Sequence, residues 1–298
     1  MPENKIEVNR ENPSKMAEGI AMQRFGESLK PENGRICYDP YAVHFISPEI
    51  IKFGMEHPKE AKAKVEQVEK LFPGLSSSIM ARVRYFDDFT KKSTAEGIEQ
   101  LVVLGAGYDT RAYRIEELKD IKVFEVDHPN TQSFKIQKID EIFGSLPDHV
   151  VYVPVDFEKD ALGQKLFDNG YDPLKKTLFI MEGLIMYIPP KAVAEILLFI
   201  VENSCKDSQV IFDYYPESVV DGACKLEIGV NIRNHLIQLE EPLQFGIKEE
   251  KIEDFLTEFG FSEVRNITSE DYKKAYFHGI NEKRDVCELL YFAHAVVG

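Results

Sequence analysis

The chain has 298 residues, 44% of them hydrophobic, which suits one large α/β domain or one domain with additions. A formal net charge of -15 makes a long phosphate backbone or an anionic membrane surface a poor partner, and leaves a small cationic or zwitterionic ligand open. The four cysteines, Cys37, Cys205, Cys224 and Cys287, are scattered without metal or disulfide spacing, so reduced thiols in a cytoplasmic protein are expected. The first ten residues lack an apolar signal core, and no run approaches the roughly 18 apolar residues of a membrane span.

Residues 1–14 read as a mobile polar arm. Residues 15–92 are helical in pattern and broken by Pro31, Pro40, Pro48, Pro58 and Pro73. The clearest helix spans 77–92, where Ile79, Val83, Phe86 and Phe89 share one side at spacings of three and four. The texture changes at Gln100. Short apolar runs at 100–104, 121–126, 150–155, 177–181 and 209–213 read as strands. Helical segments at 110–118, 130–143, 159–167 and 190–203 separate them; the last opens on proline, whose missing N–H costs little in a first turn. This alternation implies right-handed βαβ units and a parallel sheet.

Residues 214–246 interrupt the rhythm with helix-like pieces and no strand. A helix at 248–259 ends at Gly260, a suitable C′ position. Runs at 261–268 and 287–297 read as the last strands, expected as a hairpin-like antiparallel edge. The expectation is an α/β, Rossmann-like, seven-stranded and mostly parallel sheet in a single domain. It has an N-terminal helical addition (1–95), a ligand-binding core (96–213), a cap insertion after strand 5 (214–246) and a C-terminal part of the sheet (247–298).

Strand, Gly105-Ala106-Gly107, then helix is the geometry that brings backbone close to a ligand. Gly105 permits a tight turn and Gly107 a close approach to the main chain; Asp109 or Thr110 can cap the helix. A dinucleotide fingerprint wants a third glycine where Thr110 stands, and Asp109 would repel a pyrophosphate. Both departures favour a ligand without phosphates. S-adenosylmethionine fits, because its sulfonium and amino group are cationic; a plain strand–helix turn is the competing reading.

Asp127 ends the second strand about 22 residues past Gly105, the distance at which an acid reaches ribose hydroxyls. Its alternative role is an N-cap for the helix after Pro129. Glu125, on the same sheet face, suits a structural role better. Asp156 follows the third strand, where an acid can accept from an adenine amino group and Phe157 can pack on the ring; an ordinary loop acid is the alternative. Glu182 ends the fourth strand between Met181 and Gly183, and a carboxylate there needs a partner. Near the topological switch point that partner is usually a ligand.

Four motifs follow in order: Arg82-Val-Arg-Tyr-Phe-Asp-Asp88, Leu104-Gly-Ala-Gly-Tyr-Asp-Thr-Arg-Ala-Tyr-Arg114, Phe124-Glu-Val-Asp-His-Pro129 and Glu182-Gly-Leu-Ile-Met-Tyr187. With Arg24 and Asp39-Pro-Tyr41, they resemble the leucine carboxyl methyltransferase family, and within it the microbial S-adenosylmethionine-dependent O-methyltransferases. The resemblance runs over residues 17–187 and more loosely to the end. It implies a class I methyltransferase fold with S-adenosyl-L-methionine as cofactor. The implied cofactor-binding positions are Gly105, Asp127, Asp156, Phe157 and Glu182, with Ala106 and Gly107 completing the loop. It also implies an arginine, from the helix before the first strand, on the methionine carboxylate. Arg82 or Arg84 fills that place, and the Arg-x-Arg-aromatic-Phe pattern favours Arg82. Where eukaryotic members carry lysine then arginine near the N-terminus, this chain has Gln23-Arg24, which makes Arg24 the candidate for that charge.

The implied chemistry is in-line displacement at a sulfonium methyl, governed by proximity and orientation. A carboxylate acceptor is already ionised, whereas a phenol or alcohol needs a base near the methyl. Tyr187 is the candidate catalytic residue; His128 and His235 are weaker. Arg111 and Arg114, after the glycine loop, suit bracing. The expected partner is a small-molecule or peptide methyl acceptor. Two other readings are a nucleotide-binding oxidoreductase, against which Asp109 and Thr110 speak, and a non-catalytic binding module of the same fold.

Overall fold

Serine and proline set where the N-terminal helices begin. The computed structural model describes residues 14–298, so the expected polar arm lies, up to residue 13, outside the described residues. Ser14 caps α1 (Lys15–Ser28), its hydroxyl accepting from the Ala17 amide at 3.1 Å. Pro48 and Pro58 open α2 (Pro48–Glu56) and α3 (Pro58–Leu71), where the lost N–H would have had no helical partner. The long helix α4 (Leu75–Ala95) overruns the expected 77–92 at both ends. Ile79, Val83, Phe86 and Phe89 are all buried, as their spacing requires. Burial of each such side chain is worth about 1.5–3 kcal/mol.

Seven strands form one sheet in the order β3-β2-β1-β4-β5-β7-β6. They are β1 (Gln100–Leu104), β2 (Lys122–Asp127), β3 (Val150–Pro154), β4 (Thr177–Met181), β5 (Gln209–Tyr214), β6 (Phe261–Ile267) and β7 (Tyr291–Val297). The first five run parallel, and β7 runs antiparallel to both β5 and β6. Helices α5 (Arg111–Arg114), α6 (Pro129–Phe143), α7 (Leu162–Asp168) and α8 (Pro190–Glu202) follow β1 to β4 in turn. After β5 come α9 (Glu217–Asp221), α10 (Glu227–Gln238) and α11 (Ile252–Phe259), and α12 (Ser269–Tyr276) follows β6. Leu101, Val103, Ile180 and Ile211 face a core shared with α4, while Val102, Leu104, Phe179 and Phe212 face one shared with α8 and α11. Burial on both faces explains why the strands read as unbroken apolar runs.

Several boundaries differ from expectation. The helix after the glycine loop is a single α turn, followed by a 3-10 turn at Glu116–Leu118, because the extended Ile115 between them turns inward and is buried. Helices α7 and α11 start later than expected, at Leu162 and Ile252, and β7 starts at Tyr291 rather than residue 287. The last two strands pair antiparallel but form no tight hairpin: α12 lies between them. A capping box announces that helix. Thr268 and Asp271 bond reciprocally, the Asp271 carboxylate accepting from the Thr268 amide at 2.8 Å.

Connections leave β1 and β4 in opposite directions, so the switch point lies between them. Residues 214–246 fold back over the turn after β4: the Gln244 amide donates to the Met186 carbonyl at 2.8 Å and its Nε2 to the Tyr187 carbonyl at 2.7 Å. Among the described residues, no helix is long and apolar enough to cross a membrane.

Tyr272 ties the C-terminal segment to α4. It is fully buried and stacks on Phe292, with its hydroxyl 2.8 Å from the Cys287 carbonyl and 2.9 Å from Ser78 Oγ. Tyr272→Phe leaves buried acceptors unpaired, and urea unfolding should register a loss of about 1–3 kcal/mol.

Candidate active site

The glycine loop closes against the end of β2. Gly105 and Gly107 both take positive φ, +67° and +42°, where a side chain would be strained. The Ala106 amide donates to the Val126 carbonyl at 3.0 Å, and the Gly107 amide donates to Asp127 Oδ2. Asp127 Oδ1 accepts from the His128 amide at 2.6 Å. Asp127 is therefore not the N-cap of α6; His128 is, its ring accepting from the Asn130 amide. Burial raises the Asp127 pKa, and the two amide donors offset only part of this. Glu125 turns into the core, paired with Lys135 at 2.8 Å and accepting from the Tyr113 hydroxyl at 3.0 Å, so its role is structural.

Beside the loop, three guanidiniums and four carboxylates interlock. Arg82 Nη1 donates to Asp213 at 2.6 Å and Nε to Glu182 at 3.1 Å. Arg111 reaches Asp109 at 2.5 Å, Glu182 at 2.6 Å and Asp87 at 2.7 Å. Arg114 holds Asp87 from the other side at 2.6 Å. Burial alone would lower the Arg82 pKa; the carboxylates of Asp213 and Glu182 outweigh it and hold the group above the ordinary arginine value. Burial works to raise the Asp109 pKa, but the Arg111 charge overcomes it and leaves the acid well below the ordinary carboxylate range. One more carboxylate than guanidinium in this network suits a ligand with net positive charge.

The structure brings Gly105, Ala106, Gly107, Asp127, Glu182 and Arg82 to the carboxyl ends of β1, β2 and β4. Arg84 points elsewhere: it is exposed and paired with Asp88 at 2.9 Å one turn along α4. Asp156 follows β3 and accepts from the Glu158 amide at 3.1 Å and Lys159 at 2.8 Å, while Phe157 is partly buried against the sheet. Arg24 is buried on α1 and donates to the Tyr108 carbonyl at 2.5 Å, beside the glycine loop, with Asp39 at 3.2 Å. Tyr187 lies in a 3-10 turn after β4, partly buried, and burial raises its phenol pKa, as it does that of the neighbouring Tyr215. His235 instead packs on Phe72, with ring centroids 5.1 Å apart. A cleft of about 770 Å³ lies between α1, α2 and α6 and reaches the glycine loop at Tyr108, with Phe45 and Phe134 also in its lining.

Sequence reasoning missed Asp213 and Asp87. Asp87 lies in the Arg82–Asp88 motif, and an acid among buried helix positions was the available signal. Asp213 carried only its place at a strand end, the same signal that singled out Asp127 and Glu182.

The residues present fit the expected cofactor. The Nε of Arg24 is buried without a hydrogen-bond partner, a donor awaiting an anionic group near the loop. Asp127 keeps acceptor capacity at the position a ribose would take, and the network offers negative charge to a sulfonium and an ammonium. Among the described residues, no group of histidines, cysteines and acids could hold a metal ion.

The leucine carboxyl methyltransferase profile matches residues 17–201. The chain belongs to the leucine carboxyl methyltransferase family. YktD of Bacillus subtilis (strain 168), a candidate S-adenosyl-L-methionine-dependent methyltransferase, is 27% identical over 260 residues, covering 85% of this chain and 82% of that protein. A candidate methyltransferase of the same cofactor class from Mycobacterium marinum is 40% identical over 148 residues, spanning 48% of this chain and 47% of the relative. The solved structure of a candidate methyltransferase from Thermobifida fusca YX superposes with a TM-score of 0.62 at 13% identity, covering 97% of each chain. A DUF574 family protein from Streptomyces avermitilis gives 0.61 at 14% identity, covering 99% of this chain and 100% of that one. These two likenesses establish the fold. Family membership, with Asp109 fixed inside the loop, disfavours the oxidoreductase reading.

Buried partners cannot be removed singly without cost. Asp87→Ala leaves the buried Arg114 without its carboxylate and takes one of three from Arg111, and denaturant melts should show about 3–5 kcal/mol of lost stability. Arg84→Ala, at an exposed pair, should change stability by less than about 1 kcal/mol.

Proposed function

We propose that this family member, with S-adenosyl-L-methionine as cofactor, methylates a carboxylate oxygen of a small molecule or peptide. The observation that carries the reading is the convergence of the glycine loop, Asp127 and Glu182 at the ends of three adjacent strands. Bound there, the cofactor supplies an electrophilic methyl on a sulfonium sulfur.

Each residue then has an assigned task. Gly105, Ala106 and Gly107 admit the ligand to the main chain. Asp127 accepts from the ribose hydroxyls, and Asp156 and Phe157 meet the adenine by hydrogen bond and packing. Glu182 faces the amino group. Arg24 and Arg82 hold the carboxylate, Arg24 through the buried Nε and Arg82 through Nη2, which neither Asp213 nor Glu182 takes up. Tyr187 stands at the methyl end. Its raised pKa keeps the phenol protonated, so it donates a hydrogen bond to the acceptor and removes no proton. A carboxylate acceptor needs nothing more, which is why we favour it over an alcohol.

In this reading the chain is one domain, in which the helical addition up to residue 95 and the 214–246 insertion serve the 96–213 core and residues 247–298 complete the sheet. Four free cysteines support a reducing, cytoplasmic setting.

Isothermal titration with S-adenosylhomocysteine tests the assignment. Asp127→Ala should weaken binding by about 1–3 kcal/mol with an unchanged circular dichroism spectrum. An unaltered affinity contradicts it. The pH dependence has a definite sign. Hydroxyls donate to the ionised carboxylate, and in the free protein burial raises the Asp127 pKa. Wild-type affinity should therefore fall as pH drops through a value above the ordinary aspartate pKa of about 3.9. Asp127→Asn should lose that step.

A further inference from the structure

Asp213 is the last-but-one residue of β5 and is completely buried. Its two oxygens do different things. Oδ2 accepts from Arg82 Nη1 at 2.6 Å, and Oδ1 accepts from the Gly183 amide at 2.6 Å. Gly183 follows Glu182 in a turn with φ +64°, and a Cβ there would lie 3.6 Å from Arg82 Nη1. One carboxylate thus grips the guanidinium on α4 and the turn after β4, which carries Glu182.

We propose that Asp213 is a positioning residue for the amino-acid end of the cofactor site, fixing Arg82 and the Glu182-Gly183 turn relative to each other. The inference rests on the cofactor reading above. The chemistry of the position requires an aspartate. Both neighbours are donors, so both side-chain atoms facing them must be acceptors. Asparagine has the same shape but presents an amide N–H to one of the two, setting donor against donor. Glu182 has a second anchor in Arg111 at 2.6 Å, so losing Asp213 displaces the turn and the guanidinium without releasing the whole network. The adenosine end is built from Asp127 and the residues after β3, which do not touch Asp213.

That separation gives a test that a merely structural role would not pass. S-adenosylhomocysteine carries the amino-acid end; 5′-deoxy-5′-methylthioadenosine shares the adenosine and sulfur and lacks it. By titration calorimetry, Asp213→Asn should weaken S-adenosylhomocysteine about 10- to 100-fold and leave methylthioadenosine within about twofold. Equal losses for both ligands, or no loss for either, overturn the proposal. If Asp213 acts through Arg82, the double variant Arg82→Gln/Asp213→Asn binds S-adenosylhomocysteine no more weakly than Arg82→Gln alone, and additive losses overturn that claim. The double variant removes the buried charge with its partner, so it serves even where Asp213→Asn alone does not fold. Asp127→Ala separates the two layers: it should weaken both ligands. Sparing both overturns the cofactor reading and the proposal with it.

Discussion

The contacts between Arg82, Arg111 and their carboxylates hold the site together. They join four parts of the chain: α4 through Arg82 and Asp87, the glycine loop through Asp109, the end of β4 through Glu182 and the end of β5 through Asp213. Such a network adds little net stability over a packed apolar core, because each charge loses its hydration. What it provides is geometry. A guanidinium gripped on two sides has one orientation, and the loop and turn attached to it inherit that orientation. The N-terminal helical addition is thereby coupled to the site, since α4 supplies Arg82, which bridges Glu182 and Asp213.

Electrostatics and topology agree on where the ligand belongs. The switch point lies between β1 and β4 at the carboxyl edge of the sheet, where such folds bind their ligands, and the residues flanking it are the glycine loop and Glu182. The acidic excess beside it matches a cofactor with a sulfonium and an ammonium. The buried donor of Arg24, on α1 beside the glycine loop, suits its carboxylate.

Local features of the sequence were legible because their physics is local. Gly105 and Gly107 need positive φ, and glycine marks such positions directly. Asp127 and Glu182 end apolar strands, where an acid stands out. The five parallel strands were legible from their apolar runs, and α4 from the spacing of Ile79, Val83, Phe86 and Phe89. Long-range pairing was not legible. Arg82 and Asp213 lie 131 residues apart, and no periodicity connects them. The choice between Arg82 and Arg84 turned on which side of α4 faces the sheet, a matter of two residues. The helix after the glycine loop stopped at Arg114 because burying Ile115 and Leu118 outweighed continuing the turn. The helix α12 was within reach of the sequence, since Thr268 and Asp271 form a capping pair, but the polar run around them hid it.

The central claim is that Asp127 receives the cofactor's ribose at the end of β2. The most direct measurement is a crystal structure of the protein with S-adenosylhomocysteine. The account predicts both ribose hydroxyls within hydrogen-bonding distance of the Asp127 carboxylate, with the adenine beside Phe157. A ribose bound away from Asp127, or a ligand seated outside the glycine loop, would contradict it.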